Sequence, residues 1–158
     1  MIRPATPEDA EAVAGVQIAS WQEAYSHLFT PEQLAAIPLA ERTEFWRRFP
    51  PIVAEVGGEV IGFVNVGPAY DDEDADGELY AIYVRPDHWG TGAGRALMEA
   101  GEARLRELGH TSAILWVWKD NPRARRFYEI AGWATDAAEK EAEFYGMTGP
   151  IVRYAKQL

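Results

Sequence analysis

Three glycines on alternate positions, Gly90, Gly92 and Gly94, follow an apolar run at residues 79–84 and precede a helical pattern that opens at Arg95. The run is rich in aromatic and β-branched residues and stops at Arg85-Pro86, as a strand does. A strand therefore feeds a glycine loop, which feeds a helix. Glycine adopts dihedrals that a side chain forbids, so the stretch Trp89, Gly90, Thr91, Gly92, Ala93, Gly94, Arg95 can turn several N–H groups toward one point. The helix start adds its own unpaired donors and the positive end of its dipole. The chemistry this supports is the cradling of a phosphate.

Glycine spacing narrows the ligand. A dinucleotide fingerprint needs G-x-G-x-x-G, and its third glycine falls on Arg95 when counted from Gly90 and on Leu97 when counted from Gly92. A Walker loop needs Gly-Lys, a pair absent from the chain. Nucleotide hydrolysis is not expected.

A second motif lies downstream: residues 112–133 read S-A-I-L-W-V-W-K-D-N-P-R-A-R-R-F-Y-E-I-A-G-W. The strand with its G-x-G-x-G loop resembles the acyl-CoA pyrophosphate loop of the GNAT-type N-acetyltransferases. The downstream segment resembles that family's next strand and helix, with N-x-x-A-x-x-F-Y-E-x-x-G-W matched at Asn121, Ala124, Phe127, Tyr128, Glu129, Gly132 and Trp133. The likeness extends to Ile2-Arg3-Pro4-Ala5-Thr6 with Asp9, and to Val152-Arg153-Tyr154.

The resemblance implies one GNAT-type domain over residues 1–158, of mixed α/β class, with a central, mostly antiparallel sheet flanked by helices. It implies acetyl-CoA as cosubstrate and direct acetyl transfer to a primary amine of a small molecule or peptide. Tyr128 resembles the family's tyrosine that protonates the departing thiolate; a phenol with a pKa of about 10 carries the needed proton at neutral pH. An alkylammonium acceptor must lose a proton before it attacks, so a base or water relay is needed. Glu78 is the first candidate, with Asp76 and Glu23 in reserve. A solvated strand-end carboxylate is the alternative reading of Glu78, and a buried structural ring that of Tyr128.

Backbone groups of Ile82, Tyr83 and Val84 are expected to hold the pantetheine amides, and the Val84 N–H to stabilise the thioester oxygen. Asn121, Ala124 and Tyr128 complete the cofactor side, the small Ala124 leaving room. Trp21 and Tyr25 fall where the resemblance puts the acceptor cleft, although helical spacing alone reads them as core. One departure is Trp89, where the family usually carries Arg or Gln. A non-catalytic acyl-CoA-binding or regulatory module is the rival function, and a longer acyl donor stays open.

Composition bounds the rest. The 158 residues suit one domain, and 47% hydrophobic with 25% charged residues is globular. No apolar run approaches the roughly 20 residues of a membrane span. There is no cysteine, hence no disulfide, thiolate nucleophile or thiolate zinc site. The histidines lack ligand spacing, and no metal is expected. A cytoplasmic location is the expectation, with no membrane partner and homodimerisation left open. A net charge of −10 disfavours nucleic acid. Arg123, Arg125 and Arg126 read either as contacts to cofactor phosphates or as a solvated helix face. The acidic run Asp71, Asp72, Glu73, Asp74, Asp76, Glu78 favours a cationic amine as acceptor.

The positioning elements follow from periodicity and caps. Thr6-Pro7-Glu8-Asp9 starts a helix, with Thr6 as N-cap. Short helices are predicted over 31–37 and 40–49, and strands over 52–56 and 60–66 joined by Gly57-Gly58. Helices over 92–108 and 122–131 alternate with strands over 79–84 and 113–118, which predicts parallel pairing in the second half. A short piece near Trp133 and a last strand over 151–155 complete the sheet.

Overall fold

Residues 1–70 and 75–158 are described by a computed structural model. Strands β1 (Ile2–Pro4), β2 (Ile52–Val56), β3 (Glu59–Pro68), β4 (Gly77–Val84), β5 (Ser112–Trp118), β6 (Ala134–Phe144) and β7 (Met147–Gln157) form one sheet of order β1-β2-β3-β4-β5-β7-β6. Helices α1 (Ala10–Ala24), α2 (Pro31–Ala35), α3 (Leu39–Arg48), α4 (Ala93–Glu107) and α5 (Pro122–Ile130) connect the strands. Contacts divide the chain into two compact units, Met1–Asn65 with Ala81–Gly101, and Val66–Tyr80 with Glu102–Leu158.

In the first unit, α1 is entered through a 3-10 turn at Pro7–Asp9 capped by Thr6, whose N–H donates to the Asp9 carboxylate at 2.7 Å. Arg3 grips the same carboxylate with both terminal nitrogens, at 2.7 and 3.0 Å. This charge-assisted fork holds the Asp9 carboxyl down at about 2, the largest cause being the Arg3 hydrogen bonds. Helix α1 then buries Ala10, Val13, Ala14 and Val16 with Trp46, Val53 and Phe63. Buried Gln17 takes the Trp46 indole N–H at 2.8 Å and the Arg42 Nε–H at 3.1 Å, so its buried side-chain oxygen is satisfied. Strands β2 and β3 form the expected hairpin, with φ +58° at Gly57 and +83° at Gly58.

In the second unit, α4 and α5 end in matching Schellman motifs. His110 N–H bonds Leu105 O and Gly109 N–H bonds Arg106 O after α4; Trp133 N–H bonds Tyr128 O and Gly132 N–H bonds Glu129 O after α5. Buried Glu102 pairs with the Lys156 ammonium, which also donates to the Ala131 carbonyl at 2.7 Å. One cation thus ties α4, β7 and the end of α5 together. Leu105, Leu115, Trp133, Met147 and Tyr154 form the least exposed part of this unit.

The second half departs from expectation. In place of a short piece near Trp133, β6 runs for 11 residues and pairs antiparallel with an equally long β7. Its sequence, with Asp136, Glu139, Lys140, Glu141 and Glu143, lacks the alternation of a half-buried strand because it is an edge strand exposed along most of its length. Charge on such an edge discourages pairing with another chain. A register shift between Thr135 and Glu139, with φ +68° at Ala137, further hides its period. In this half β4 pairs parallel with β5, while the β6–β7 hairpin returns β7 antiparallel against β5. Asp71, Asp72, Glu73 and Asp74 of the acidic run lie outside the described residues.

Candidate active site

The first unit carries the glycine loop. Beyond β4, a 3-10 turn at Pro86–His88 is braced by Arg85, whose guanidinium holds Asp87 at 2.7 and 3.1 Å. Thr91 Oγ donates to the His88 carbonyl at 2.6 Å and folds the loop on itself. Gly90 and Gly92 have φ of +79° and +89°, and no atom lies within 4 Å of where a Cβ would stand on either. Backbone conformation thus requires glycine at both positions, and the space before them is open. Gly94 plays a different part, inside the first turn of α4. The Gly92 carbonyl accepts the Ala96 N–H at 3.1 Å, so the N–H groups of Ala93, Gly94 and Arg95 are the helix's unpaired first-turn donors. The Arg95 side chain itself is exposed and turned along the helix to Glu99.

Strand β4 leads into this loop. Arg85 N–H donates to Ile61 O on β3 at 2.7 Å. Alternation along the strand turns the Tyr83 backbone toward β3 as well, and the N–H and C=O of Ile82 and Val84 away from it. The Val84 carbonyl receives two donors, Trp89 Nε1 at 2.7 Å and Ser20 Oγ at 3.1 Å. Trp89, the departure from the family pattern, therefore does carry a side-chain donor, but one aimed at its own strand.

Trp21 and Tyr25 are packed inside this unit, 5% and 4% exposed, their rings edge to face at 4.6 Å. Trp21 Nε1 donates to the Tyr83 hydroxyl at 3.0 Å. Burial pushes that phenol's pKa up, while the hydrogen bonds from Trp21 and Tyr25 pull the other way.

The second unit carries the acid–base candidates. Glu78 is 8% exposed, so the solvated strand-end reading does not hold. It sits where β4 pairs β5, opposite Ile114, and its Oε1 accepts the Tyr70 N–H at 2.9 Å. Asp76, held in reserve, is engaged at the start of β5 by His110 Nδ1 and by the Thr111 N–H, both at 2.7 Å. The His110 hydrogen bond, then that of Thr111, lowers its carboxyl pKa. The other reserve, Glu23, is exposed on α1.

Tyr128 is buried on α5, its ring 5.6 Å from Phe127 and 6.1 Å from Tyr154. Half-buried Ala124 lies one turn earlier on the same face. Asn121 is the N-cap of α5, its side-chain oxygen accepting the Ala124 N–H at 3.2 Å. The helix is fixed in rotation by Tyr154, whose hydroxyl donates to Glu129 at 2.7 Å and accepts Arg125 Nε–H at 3.0 Å. Arg125 also donates to the Lys119 carbonyl, so it serves the fold, whereas Arg123 and Arg126 are exposed.

Sequence reasoning missed Ser20. Its signal was a hydroxyl within the buried face of α1, one turn after Val16 and 2% exposed. Among the described residues no cluster of three metal-ligating side chains occurs, and no helix is long and apolar enough to cross a membrane.

Comparison with known proteins bears on these elements. The model of the Acetyltransferase (GNAT) family matches residues 15–133. An uncharacterized N-acetyltransferase, YuaI of Bacillus subtilis, is 32% identical over 126 residues, 77% of this chain and 73% of that protein. A mycothiol acetyltransferase of Pseudarthrobacter chlorophenolicus is 34% identical over 142 residues; the match covers 84% of this chain and 42% of that longer relative. In fold, the chain is similar to a GCN5-related N-acetyltransferase of Rhodopseudomonas palustris (TM-score 0.80, 23% identity, 100% and 95% of the two chains). It is also similar to the PaiA N-acetyltransferase of Thermoplasma acidophilum, solved in complex with coenzyme A (TM-score 0.76, 18% identity, 100% and 98%). With the family model covering the loop, the following helix and the α5 motif, the chain belongs to the GNAT family of acetyltransferases.

Proposed function

We propose that the protein transfers an acetyl group from acetyl-CoA directly to a primary amine, without a covalent enzyme intermediate. The observation that carries this reading is the glycine loop: two glycines at positive φ face open space at the start of α4. Loop and first-turn N–H groups together suit a pyrophosphate. When bound, acetyl-CoA supplies the thioester and the thiolate leaving group.

The chain's own groups then have distinct tasks. The N–H and C=O of Ile82 and the N–H of Val84, turned away from β3, are suited to pair with pantetheine amides and to donate to the thioester oxygen. Trp21 and Tyr25, packed on one another with Trp21 bonded to Tyr83, are assigned to stiffen the acceptor side from behind. Glu78 takes the proton that the ammonium must lose, directly or through water, and Tyr128 Oη gives one to the departing sulfur. A buried carboxylate and a buried phenol within the segment that the family model matches favour turnover over mere binding.

The acceptor is assigned as a cationic amine, small molecule or peptide, on the strength of the net charge of −10. The name of the mycothiol acetyltransferase relatives keeps mycothiol-related amines among the candidates. A panel of polyamines, amino sugars and short peptides, assayed by thiol release from acetyl-CoA at two ionic strengths, tests the assignment. A cationic acceptor with a KM that rises with salt supports it; preference for a neutral or anionic amine opposes it.

A further inference from the structure

We propose that Trp89 is a positioning residue for the acyl-CoA loop, acting through the last peptide of β4; this rests on the acetyl-CoA reading above. The Val84–Arg85 peptide is held at both ends. Its N–H donates to Ile61 O at 2.7 Å, while its C=O accepts Trp89 Nε1–H at 2.7 Å and Ser20 Oγ–H at 3.1 Å. A carbonyl oxygen offers two lone pairs, and here both are taken.

Trp89 is also the residue from which the chain steps into Gly90, the first loop position at positive φ. Its backbone N–H bonds Pro86 O at 3.2 Å, and its half-buried side chain folds back over the 3-10 turn onto the strand. The indole thus spans the turn and fixes the distance between the Val84 peptide and the loop donors. An Arg or Gln at this position could reach outward to a ligand. The tryptophan is aimed inward and orders the loop before the ligand arrives, which lowers the entropy lost on binding.

Two consequences follow. With its carbonyl saturated, Val84 serves the cofactor only through its N–H, and the amide hydrogens of pantetheine must be accepted by Ile82 O. Ser20 and Trp89 share the carbonyl, with Trp89 the closer donor, so losing one loosens it and losing both frees it.

The test is calorimetric titration of the full-length protein with coenzyme A, using Trp89→Phe, Ser20→Ala and the double variant, with thermal unfolding alongside. Trp89→Phe keeps an aromatic ring and removes the donor, and is expected to weaken CoA binding about five- to tenfold, the worth of one hydrogen bond. Ser20→Ala is expected to cost about twofold, and the double variant more than the product of the two. Faster amide exchange at Arg85 should accompany the double variant, with the unfolding temperature of each single variant close to the parent's. Parent-like CoA affinity in Trp89→Phe, or a double variant equal to the product of the singles, overturns the proposal while leaving the acetyl-CoA reading intact. A parent protein that binds no CoA overturns both. Should Trp89→Phe fail to fold, Ser20→Ala combined with Trp89→His, which retains a ring N–H, must bind more tightly than Ser20→Ala with Trp89→Leu, or the proposal falls.

Discussion

Glu78 accepts the backbone N–H of Tyr70, eight residues earlier in the chain, at 2.9 Å, next to the Ala69 N–H to Asp76 O bond of 3.0 Å. The proposed base is therefore held by a backbone donor, which fixes the direction of its carboxylate. Glu78→Gln preserves an acceptor for Tyr70 and removes basicity. We expect kcat to fall by about 10²-fold with acetyl-CoA KM within about twofold. Steady-state kinetics measure the split, and a kcat within about twofold of the parent would assign the proton to another group.

Tyr128→Phe removes one hydroxyl from a ring packed against Phe127 and Tyr154. Its kcat should drop by roughly 10- to 10⁴-fold while CoA affinity holds, the signature of a group acting on the leaving sulfur. Steady-state kinetics with acetyl-CoA varied at saturating amine measure the split, and a kcat within about twofold of the parent would refute the role.

How much of this was legible before the structure depended on how local each signal is. The Thr6–Asp9 helix start, the Gly57-Gly58 hairpin and the glycine-terminated helices are encoded within a few residues, and each forms as read. Strand β6 was not legible because an exposed, bulged edge strand carries no alternation. At the site, residue types were readable and their partners were not. Asn121 emerges as the cap of its own helix and Trp89 as a clamp on Val84, contacts within five residues that the family pattern does not spell out, whereas Trp21 is a buried donor to Tyr83, a partner distant in sequence.

Gly92→Val tests the loop. A β-branched residue at φ +89° is strained by about 1–3 kcal/mol, and its side chain would project into the open space before the loop. CoA affinity should collapse by more than about 10²-fold while far-ultraviolet circular dichroism stays native. Unchanged affinity by calorimetry would place the phosphates elsewhere.

The Arg3–Asp9 fork gives a pH prediction. The folded-state pKa of Asp9 is depressed to about 2, below its ordinary value of 3.8, so its contribution is complete above about pH 4 and is lost as pH falls toward 2. Allowing for solvent screening, that contribution is about 1–2 kcal/mol. Asp9→Asn should lower stability by this amount in urea titrations at pH 7 and be nearly neutral at pH 2. An equal penalty at both pH values would show that the cap, not the charge, matters.

The central claim is catalytic turnover, and free thiol released from acetyl-CoA in the presence of a cationic amine measures it most directly. The account predicts thiol release proportional to protein concentration with at least one amine of the panel, matched by acetylated amine in the mass spectrum and reduced at least about tenfold in Tyr128→Phe. Binding of coenzyme A with no amine-dependent thiol release from any acceptor would contradict it and leave an acyl-CoA-binding module in its place.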